Sequence, residues 1–260
     1  MRTITLARTT LAYDDAGPDG GLPLLLVHGH PFDRSMWGPQ VARFAAERRV
    51  IVPDLPGYGD SPGAVPGWAA FADDLAALLD ALRVPRAVVA GLSMGGQIAL
   101  DLWARHPGRV AGLLLADTTP AGETRESLAA RLAQAEGLLA EGMDPYAVDV
   151  LYRMVSPDAP EAVARHVLGM MRAADPAGAA AAQRARADRP DRTGDLAAVD
   201  VPTVVVVGSE DEFTPVAGAE AMAARIPGAE LVVVDGAAHM PNLERPAVFD
   251  AALERLLARA

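Results

Sequence analysis

A serine stands between two glycines at the point where a short apolar run gives way to a helical pattern. The segment Gly91-Leu92-Ser93-Met94-Gly95 leads directly into Met94–Arg105, whose composition and spacing are typical of a helix. In a strand–turn–helix context this G-x-S-x-G spacing lifts the hydroxyl of Ser93 to the carboxyl end of the strand. A Cβ on Gly91 or Gly95 would collide in so sharp a turn. The spacing therefore predicts an exposed, nucleophilic serine above a helix N-terminus.

A serine hydroxyl is a weak nucleophile at neutral pH and needs a positioned base, most often histidine. Of the five histidines, His239 lies between the last strand-like run and the final helix. A loop at that place reaches the same sheet edge as Ser93. His106 ends the helix after Ser93, where a cation complements the helix dipole, and His166 falls on a helical surface. We therefore predict His239 as the base.

The base must in turn be oriented by a carboxylate, and three consecutive acids follow the penultimate strand-like run. Among Glu210, Asp211 and Glu212, the dipole of the following helix explains the two glutamates, which leaves Asp211 as the predicted orienting acid. The alternative is Asp117, because it ends a different strand-like run and also reaches the carboxyl edge. The preferred order Ser, Asp, His along the chain is the order expected for a nucleophile elbow on an α/β sheet.

A tetrahedral oxyanion also needs two backbone N–H donors. One donor is predicted from Met94, directly after the nucleophile. The other should come from the loop His28-Gly29-His30-Pro31-Phe32-Asp33, and because Pro31 has no N–H the simplest donor is the amide of His30. The imidazole of His30 could line the acyl pocket or be solvated, and the spacing leaves both open.

Short apolar runs alternate with helical patterns along the chain. The runs that predict buried strands are Leu24–Val27, Val50–Pro53, Ala87–Gly91, Val110–Asp117, Thr203–Gly208 and Glu230–Asp235, preceded by Thr3–Ala7 and Leu11–Asp15 as a hairpin or two edge strands. The helical patterns are Trp68–Leu82, Met94–Arg105, a helix capped by Thr214 with Pro215 at its first position, and Pro246–Ala258. This alternation predicts an α/β fold with a doubly wound, mostly parallel sheet.

One long region lacks strands. Between residues 118 and 200 the helical patterns are Glu126–Gly142, Pro145–Val155, Pro160–Ala174 and Ala177–Ala187. The alanine-rich stretch 177–182 could be a flexible linker, but its helix formers favour a helical lid. We therefore predict a core of residues 1–120 and 201–260 and a helical cap of residues 121–200, inserted after the sixth strand.

Composition excludes several classes of protein. The chain has 260 residues, is 51% hydrophobic and 22% charged, contains no cysteine and carries a net charge of -11. The hydrophobic fraction excludes a disordered chain, and the absence of cysteine excludes disulfides and a thiolate nucleophile. The net negative charge argues against nucleic acid as a partner. No apolar run is long enough for a membrane span or a signal peptide, so we expect a cytoplasmic protein.

These motifs closely resemble those of the α/β-hydrolase superfamily over the whole chain. The resemblance rests on His28-Gly29, the loop Asp54–Ser61, Gly91–Gly96, Gly208–Pro215, and His239 with Asn242-Leu243-Glu244. The subgroup that the chain is most similar to contains 3-oxoadipate enol-lactonases, small carboxylesterases and cofactor-free haloperoxidases. The resemblance implies a helical cap after the sixth strand, a structural role for the loop after Val50–Pro53, and no need for a metal or an organic cofactor.

The resemblance implies a serine hydrolase that cleaves a small carboxylic ester or lactone through an acyl-enzyme, with perhydrolysis as a plausible side reaction. Ser93 departs from the aspartate nucleophile of dehalogenases and epoxide hydrolases. A receptor or regulatory protein that keeps the triad but turns over slowly is the alternative. A dicarboxylate substrate would call for a lid cation, for which Arg153, Arg165 and Arg172 are the candidates. The sequence does not specify the oligomeric state.

Overall fold

Eight strands form one sheet in the computed structural model, which describes all 260 residues. The strands are β1 (Arg2–Thr5), β2 (Thr10–Ala16), β3 (Leu24–Val27), β4 (Val50–Pro53), β5 (Ala87–Leu92), β6 (Val110–Ala116), β7 (Thr203–Gly208) and β8 (Glu230–Val234). Their order across the sheet is β1-β2-β4-β3-β5-β6-β7-β8. Strands β3 to β8 are parallel, whereas β1 and β2 form an antiparallel hairpin that joins the edge of β4.

Helices cover both faces of the sheet, so the central strands are buried on both sides. One face packs against α2 (Trp68–Ala81), α3 (Met94–Arg105) and α8 (Val216–Ala223), and the other against α1 (Gly38–Phe44) and α10 (Pro246–Leu257). Successive residues of β5 point to opposite faces: Val89 joins the cluster with Phe71, and Val88 joins the cluster with Phe249. Because helices cover both faces of the sheet, the strands are continuous apolar runs. The predicted doubly wound α/β fold is confirmed.

The last strand differs from the prediction. The run Glu230–Asp235 was expected to be buried, yet β8 is an edge strand that pairs only with β7, and Val233 is 43% exposed. β-Branched residues suit any pleated surface, so an apolar run alone does not distinguish an edge strand from a central one.

Four helices lie between β6 and β7, and we call them the inserted helices: α4 (Arg125–Glu141), α5 (Met143–Met154), α6 (Glu161–Ala173) and α7 (Pro176–Ala187). Helix α4 packs on α7, and α5 packs on α6. The alanine-rich stretch is a helix rather than a linker, because Asp175 caps it and its small residues allow close packing. A Cβ on Gly178 would overlap the carbonyl of Gly57 in the core.

A short helix, α9 (Pro241–Glu244), follows β8 and completes the set of α-helices; three 3-10 helices span Arg34–Trp37, Pro107–Arg109 and Leu196–Ala198. None of the helices combines the length and the apolar character that crossing a bilayer requires.

Candidate active site

The turn between β5 and α3 holds Ser93 in a strained conformation with φ at +57°. A Cβ on Gly91 would overlap the carbonyl of Gly95, so the sharp turn needs glycine. The Ser93 N–H donates to the carbonyl of Ala116 at 2.8 Å, which ties the turn to β6. Strain of this kind costs about 1–3 kcal/mol and persists only where the surroundings fix it.

The loop after β3 lies directly against the serine. A Cβ on Gly29 would come within 3.2 Å of the Ser93 Cβ, so glycine is needed for this approach. The backbone N–H of His30 has no acceptor within the protein. Met94 is the first residue of α3, where an N–H has no intrahelical acceptor. The two amides predicted as oxyanion donors are therefore both unpaired on segments that flank Ser93.

A buried carboxylate orients the ring of His239. Its Nδ1 lies 2.8 Å from Oδ2 of Asp211, and the other carboxylate oxygen accepts the N–H groups of Phe213 and Thr214 at 2.8 and 3.2 Å. Burial by itself would raise the pKa of Asp211, but the imidazole and these hydrogen bonds lower it below its ordinary value. The carboxylate is ionised at neutral pH and accepts a hydrogen bond from a proton-bearing Nδ1, which leaves Nε2 of this tautomer as a hydrogen-bond acceptor.

Thr214 does not cap α8, contrary to the prediction. Pro215 occupies the N-cap position and the helix begins at Val216. The hydroxyl of Thr214 instead donates to Oδ2 of Asp211, which adds a further hydrogen bond to the carboxylate.

Ser93 and His239 line the same cavity, which lies between the carboxyl ends of the strands and the inserted helices. Its volume is about 210 Å³, below the ~300–1,000 Å³ range of pockets for larger ligands. His30 also lines it, whereas Asp211 lies behind His239. The structure thus brings all three predicted triad residues to one sheet edge.

The other candidate bases and acids lie elsewhere. His106 hydrogen-bonds Asp73 at 2.8 Å beyond the end of α3, and His166 is exposed on α6. Glu210 and Glu212 are exposed in the loop after β7. Asp117, the alternative orienting acid, is buried beside the site, but Nδ1 of His239 is hydrogen-bonded to Asp211 instead.

The imidazole of His30 is buried and lines the cavity rather than being solvated. Its Nδ1 lies 2.6 Å from the hydroxyl of Tyr58, and its Nε2 lies 2.9 Å from the amide nitrogen of Gln183. Burial, and then the nearby cations Arg186 and Arg131, lower the pKa of His30 well below its ordinary value, so the ring is neutral. The amide nitrogen of Gln183 can only donate, so Nε2 accepts and the Nδ1–H donates to Tyr58.

Only one of the three predicted lid cations reaches the cavity. Arg153 lines it, pairs with Glu212 at 3.1 Å and lies over the ring of Phe213. Arg165 and Arg172 lie outside the cavity, where each pairs with an exposed acid of the inserted helices.

Sequence reasoning missed three arginines that line the cavity: Arg131, Arg186 and Arg189. Arg131 and Arg189 share a single carboxylate, Glu123, and Arg186 has no acid partner. Burial, reinforced by the other two guanidinium groups, lowers the pKa of Arg186 to about 9. A signal was present, because Arg186 continues the helical spacing of the buried residues Ala179 and Ala182 on α7.

Glu244 holds the loop that carries His239, a contact that the sequence motif alone did not reveal. Its Oε1 accepts the N–H groups of Ala238 and Met240 at 3.0 and 3.3 Å, one on each side of His239. Its Oε2 accepts the N–H of Ser156 at 2.8 Å, which ties this loop to the chain after α5.

Replacing Glu244 with alanine is expected to leave three buried N–H groups unpaired, since their acceptor is lost. The free energy of unfolding should fall by about 3 kcal/mol or more, and kcat should fall because the loop around His239 is no longer fixed. Urea unfolding and ester kinetics measure the two effects. Glu254→Ala on α10, an exposed surface pair with Arg43, is the matched control. An unchanged urea midpoint in Glu244→Ala would contradict this role.

The chain is similar in sequence to known hydrolases over most of its length. A model described as the alpha/beta hydrolase family matches residues 24–252. The chain is 35% identical over 242 residues to a pimeloyl-[acyl-carrier protein] methyl ester esterase of Neisseria meningitidis, covering 90% of this chain and 92% of that protein.

Two solved structures share the fold over nearly their full length. A thermophilic esterase from Thermogutta terrifontis with malate bound superposes with a TM-score of 0.93 at 38% identity, covering 99% of this chain and 98% of that one. The enol-lactonase from Burkholderia xenovorans superposes with a TM-score of 0.91 at 28% identity, covering 99% and 100%. These relatives confirm the prediction of a carboxylic ester hydrolase, and the chain belongs to the alpha/beta hydrolase family.

Proposed function

We propose that the protein is a serine hydrolase that cleaves a small carboxylic ester or lactone through an acyl-enzyme. The observation that carries the proposal is the 2.8 Å contact between His239 Nδ1 and the Asp211 carboxylate, in a cavity that Ser93 also lines. The relatives named esterase and enol-lactonase support the same reaction class.

In this mechanism Ser93 attacks the carbonyl carbon, and Nε2 of His239 takes the hydroxyl proton and returns it to the leaving alcohol. Asp211 keeps the imidazole in the required tautomer and stabilises the imidazolium. The amides of His30 and Met94 hold the oxyanion, and water then hydrolyses the acyl-enzyme. We assign residues 121–200 as a cap over a core of residues 1–120 and 201–260, so that the inserted helices close the cavity.

Covalent trapping tests this assignment. A p-nitrophenyl alkylphosphonate should release one equivalent of p-nitrophenolate per chain, because the phosphonyl group stays on the nucleophile as a stable adduct. Mass spectrometry of the digested protein should place the added mass on the peptide that contains Ser93. Labelling of another residue, or ester hydrolysis that survives full labelling, would refute the mechanism.

We further propose that the preferred ester or lactone carries a free carboxylate. Four guanidinium groups line the cavity. Arg153 pairs with Glu212, and Arg131 and Arg189 share Glu123, whereas Arg186 is buried with no acid partner. An unpaired buried cation is costly, and a bound carboxylate would supply the missing counter-charge and a bidentate hydrogen bond. The malate bound to the related esterase, itself a dicarboxylate, is consistent with such a site.

Replacing Arg186 with glutamine should therefore discriminate between charged and neutral substrates. We expect kcat/KM for monomethyl succinate to fall about 30-fold, as expected for loss of a charge-assisted hydrogen bond. For the neutral dimethyl succinate, kcat/KM should change less than about threefold. Removing an unpaired buried charge should also raise the free energy of unfolding by about 1–3 kcal/mol.

The matched control is Arg184→Gln, an exposed position two residues earlier on α7 whose side chain pairs with Glu136. It should alter neither substrate preference nor stability appreciably. A wild-type enzyme that does not prefer the half-ester, or an Arg186→Gln variant that loses both substrates equally, would contradict the carboxylate proposal. Neither result would affect the assignment of Ser93.

A further inference from the structure

A second buried carboxyl group stands beside the proposed triad, and the mechanism above does not use it. Asp117 follows β6 directly and is only 1% exposed. Its Oδ1 accepts the N–H of Gly208 at 2.9 Å, whereas its Oδ2 is buried without a hydrogen-bond partner. Its own N–H donates to the carbonyl of Val206 at 2.9 Å, which fixes the residue at φ +46° between β6 and β7.

The surroundings of Asp117 are acidic. A cluster is formed by Asp117, Asp211 and His239, in which one polar atom of each residue lies within 4.8 Å of the other two. Glu244 is a further acid whose charge raises the pKa of Asp117. Asp117 forms no ion pair with an arginine, and the chain contains no lysine. Two carboxylates so close in a buried site cannot both carry a charge without a cation for each, so one of them holds a proton.

The hydrogen bonds decide which carboxyl holds the proton. Asp211 accepts the imidazole N–H of His239, two backbone N–H groups and the Thr214 hydroxyl, all of which favour the ionised form. Asp117 accepts a single backbone N–H. Burial and the charge of Asp211 raise the pKa of Asp117 well above its ordinary value. Asp117 is therefore the neutral member of the pair.

We propose that Asp117 is a positioning residue that keeps its proton on Oδ2 and donates it toward Asp211, so that the triad acid is one half of a carboxylic acid–carboxylate pair. The inference rests on the proposed function, because Asp117 acts on the reaction only through Asp211. Oδ1 already accepts the Gly208 N–H, so the proton belongs on the unpaired Oδ2. A hydrogen bond from Asp117 to Asp211 delocalises the negative charge of the Asp211 carboxylate. Asp211 then binds the imidazolium of His239 less strongly.

Two substitutions of similar size distinguish a hydrogen-bonding role of Asp117 from a role in packing alone. Asp117→Leu removes the donor, and kcat should fall about tenfold, because an imidazolium that Asp211 holds more strongly returns its proton to the leaving alcohol less readily. The acid limb of the kcat/KM profile should move to higher pH, since a less solvated Asp211 holds the imidazolium more strongly. Asp117→Asn keeps an N–H donor and an acceptor for Gly208. It should restore kcat to within about threefold of wild type and return the acid limb to its wild-type position.

The protonation state can be read in two ways that do not depend on turnover. The infrared spectrum of wild type at neutral pH should contain a protonated-carboxyl band that Asp117→Asn lacks. A buried acid with a raised pKa destabilises the fold as pH rises above the unfolded-state value near 4, because the folded state then binds more protons. The melting temperature of Asp117→Asn minus that of wild type should therefore increase with pH, by up to about 4 °C per unit.

Asp74→Asn on α2 is the matched control, because Asp74 is also a buried aspartate and its carboxylate pairs with Arg8, away from the cavity. It should leave the acid limb in place. If Asp117→Asn loses as much activity as Asp117→Leu, or if no carboxyl band disappears, Asp117 is ionised and the inference is wrong. An unaltered kcat and acid limb in Asp117→Leu would equally overturn it. Trapping that fails to label Ser93 would instead overturn the proposed function.

Discussion

Ser93→Ala is expected to lower kcat for p-nitrophenyl acetate about 10⁶-fold, to little more than the rate that binding and oxyanion donors alone provide. The hydroxyl makes no hydrogen bond on which the fold depends, since the turn is held by the backbone of Ser93 and by the Thr118 hydroxyl, which donates to the Ser93 carbonyl at 2.7 Å. Alanine keeps a Cβ in the same strained conformation, so the melting temperature should stay close to that of wild type.

The measurement is steady-state hydrolysis with a parallel thermal melt. Ser209→Ala is the control, because Ser209 is exposed after β7 and its hydroxyl only accepts the N–H of Gly236. It should retain nearly all activity. Hydrolysis by Ser93→Ala at the wild-type rate would show that another group attacks the carbonyl, and the acyl-enzyme mechanism would have to be abandoned.

The fold and the position of Ser93, the proposed nucleophile, could be predicted from the sequence because strong local rules govern them. Strands buried on both faces must be continuously apolar, and the runs Leu24–Val27 and Thr203–Gly208 coincide with β3 and β7. Gly91 is needed by the turn itself, and Gly95 is needed because α3 lies against the end of β3 at Val27. Chain order and the parallel sheet then bring the loops after β5, β7 and β8 to one edge, whatever their side chains are.

The charge of the cavity could not be read in the same way, because it depends on how helices pack. The candidates Arg153, Arg165 and Arg172 lie on α5 and α6, but the unpaired cation is on α7, which packs against α4 and against Gly57 of the core. Helices α4 and α7 pack together although α5 and α6 separate them along the chain, and no local pattern marks such a contact. The spacing of Arg186 with Ala179 and Ala182 marks one face of α7, but which face is buried depends on how the helix packs.

The number of loop residues between the strand end and the acid distinguishes Asp211 from Asp117 as the partner of His239. Both follow strands that end at the same edge, so both reach the site. Asp211 stands three residues beyond β7, and this length lets its carboxylate meet Nδ1 of His239. Asp117 follows β6 immediately and is turned to the N–H of Gly208 instead. Distance along the loop, which sequence patterns predict poorly, therefore gives the two acids different environments and opposite protonation states.

Asp211→Asn is expected to lower kcat about 10⁴-fold with little change in KM for small esters, since the asparagine amide no longer selects the Nδ1–H tautomer of His239 or stabilises its imidazolium. The variant should also be less stable at pH 7. An acid whose pKa is lowered on folding contributes stability above its unfolded-state value near 4 and loses that contribution as pH falls through the lowered pKa.

Urea unfolding at pH 7 and at about pH 3 therefore separates the two effects of Asp211→Asn. The gap in unfolding free energy between wild type and variant should narrow at the lower pH, where the wild-type carboxylate begins to take up a proton. Glu212→Gln, one residue along and exposed, controls for loss of charge near the loop and should keep most of its activity. If Asp211→Asn retained kcat while Asp117→Asn lost it, the orienting role would belong to the acid after β6. The short contact between Asp211 and His239 would then be structural, because catalysis would proceed without it.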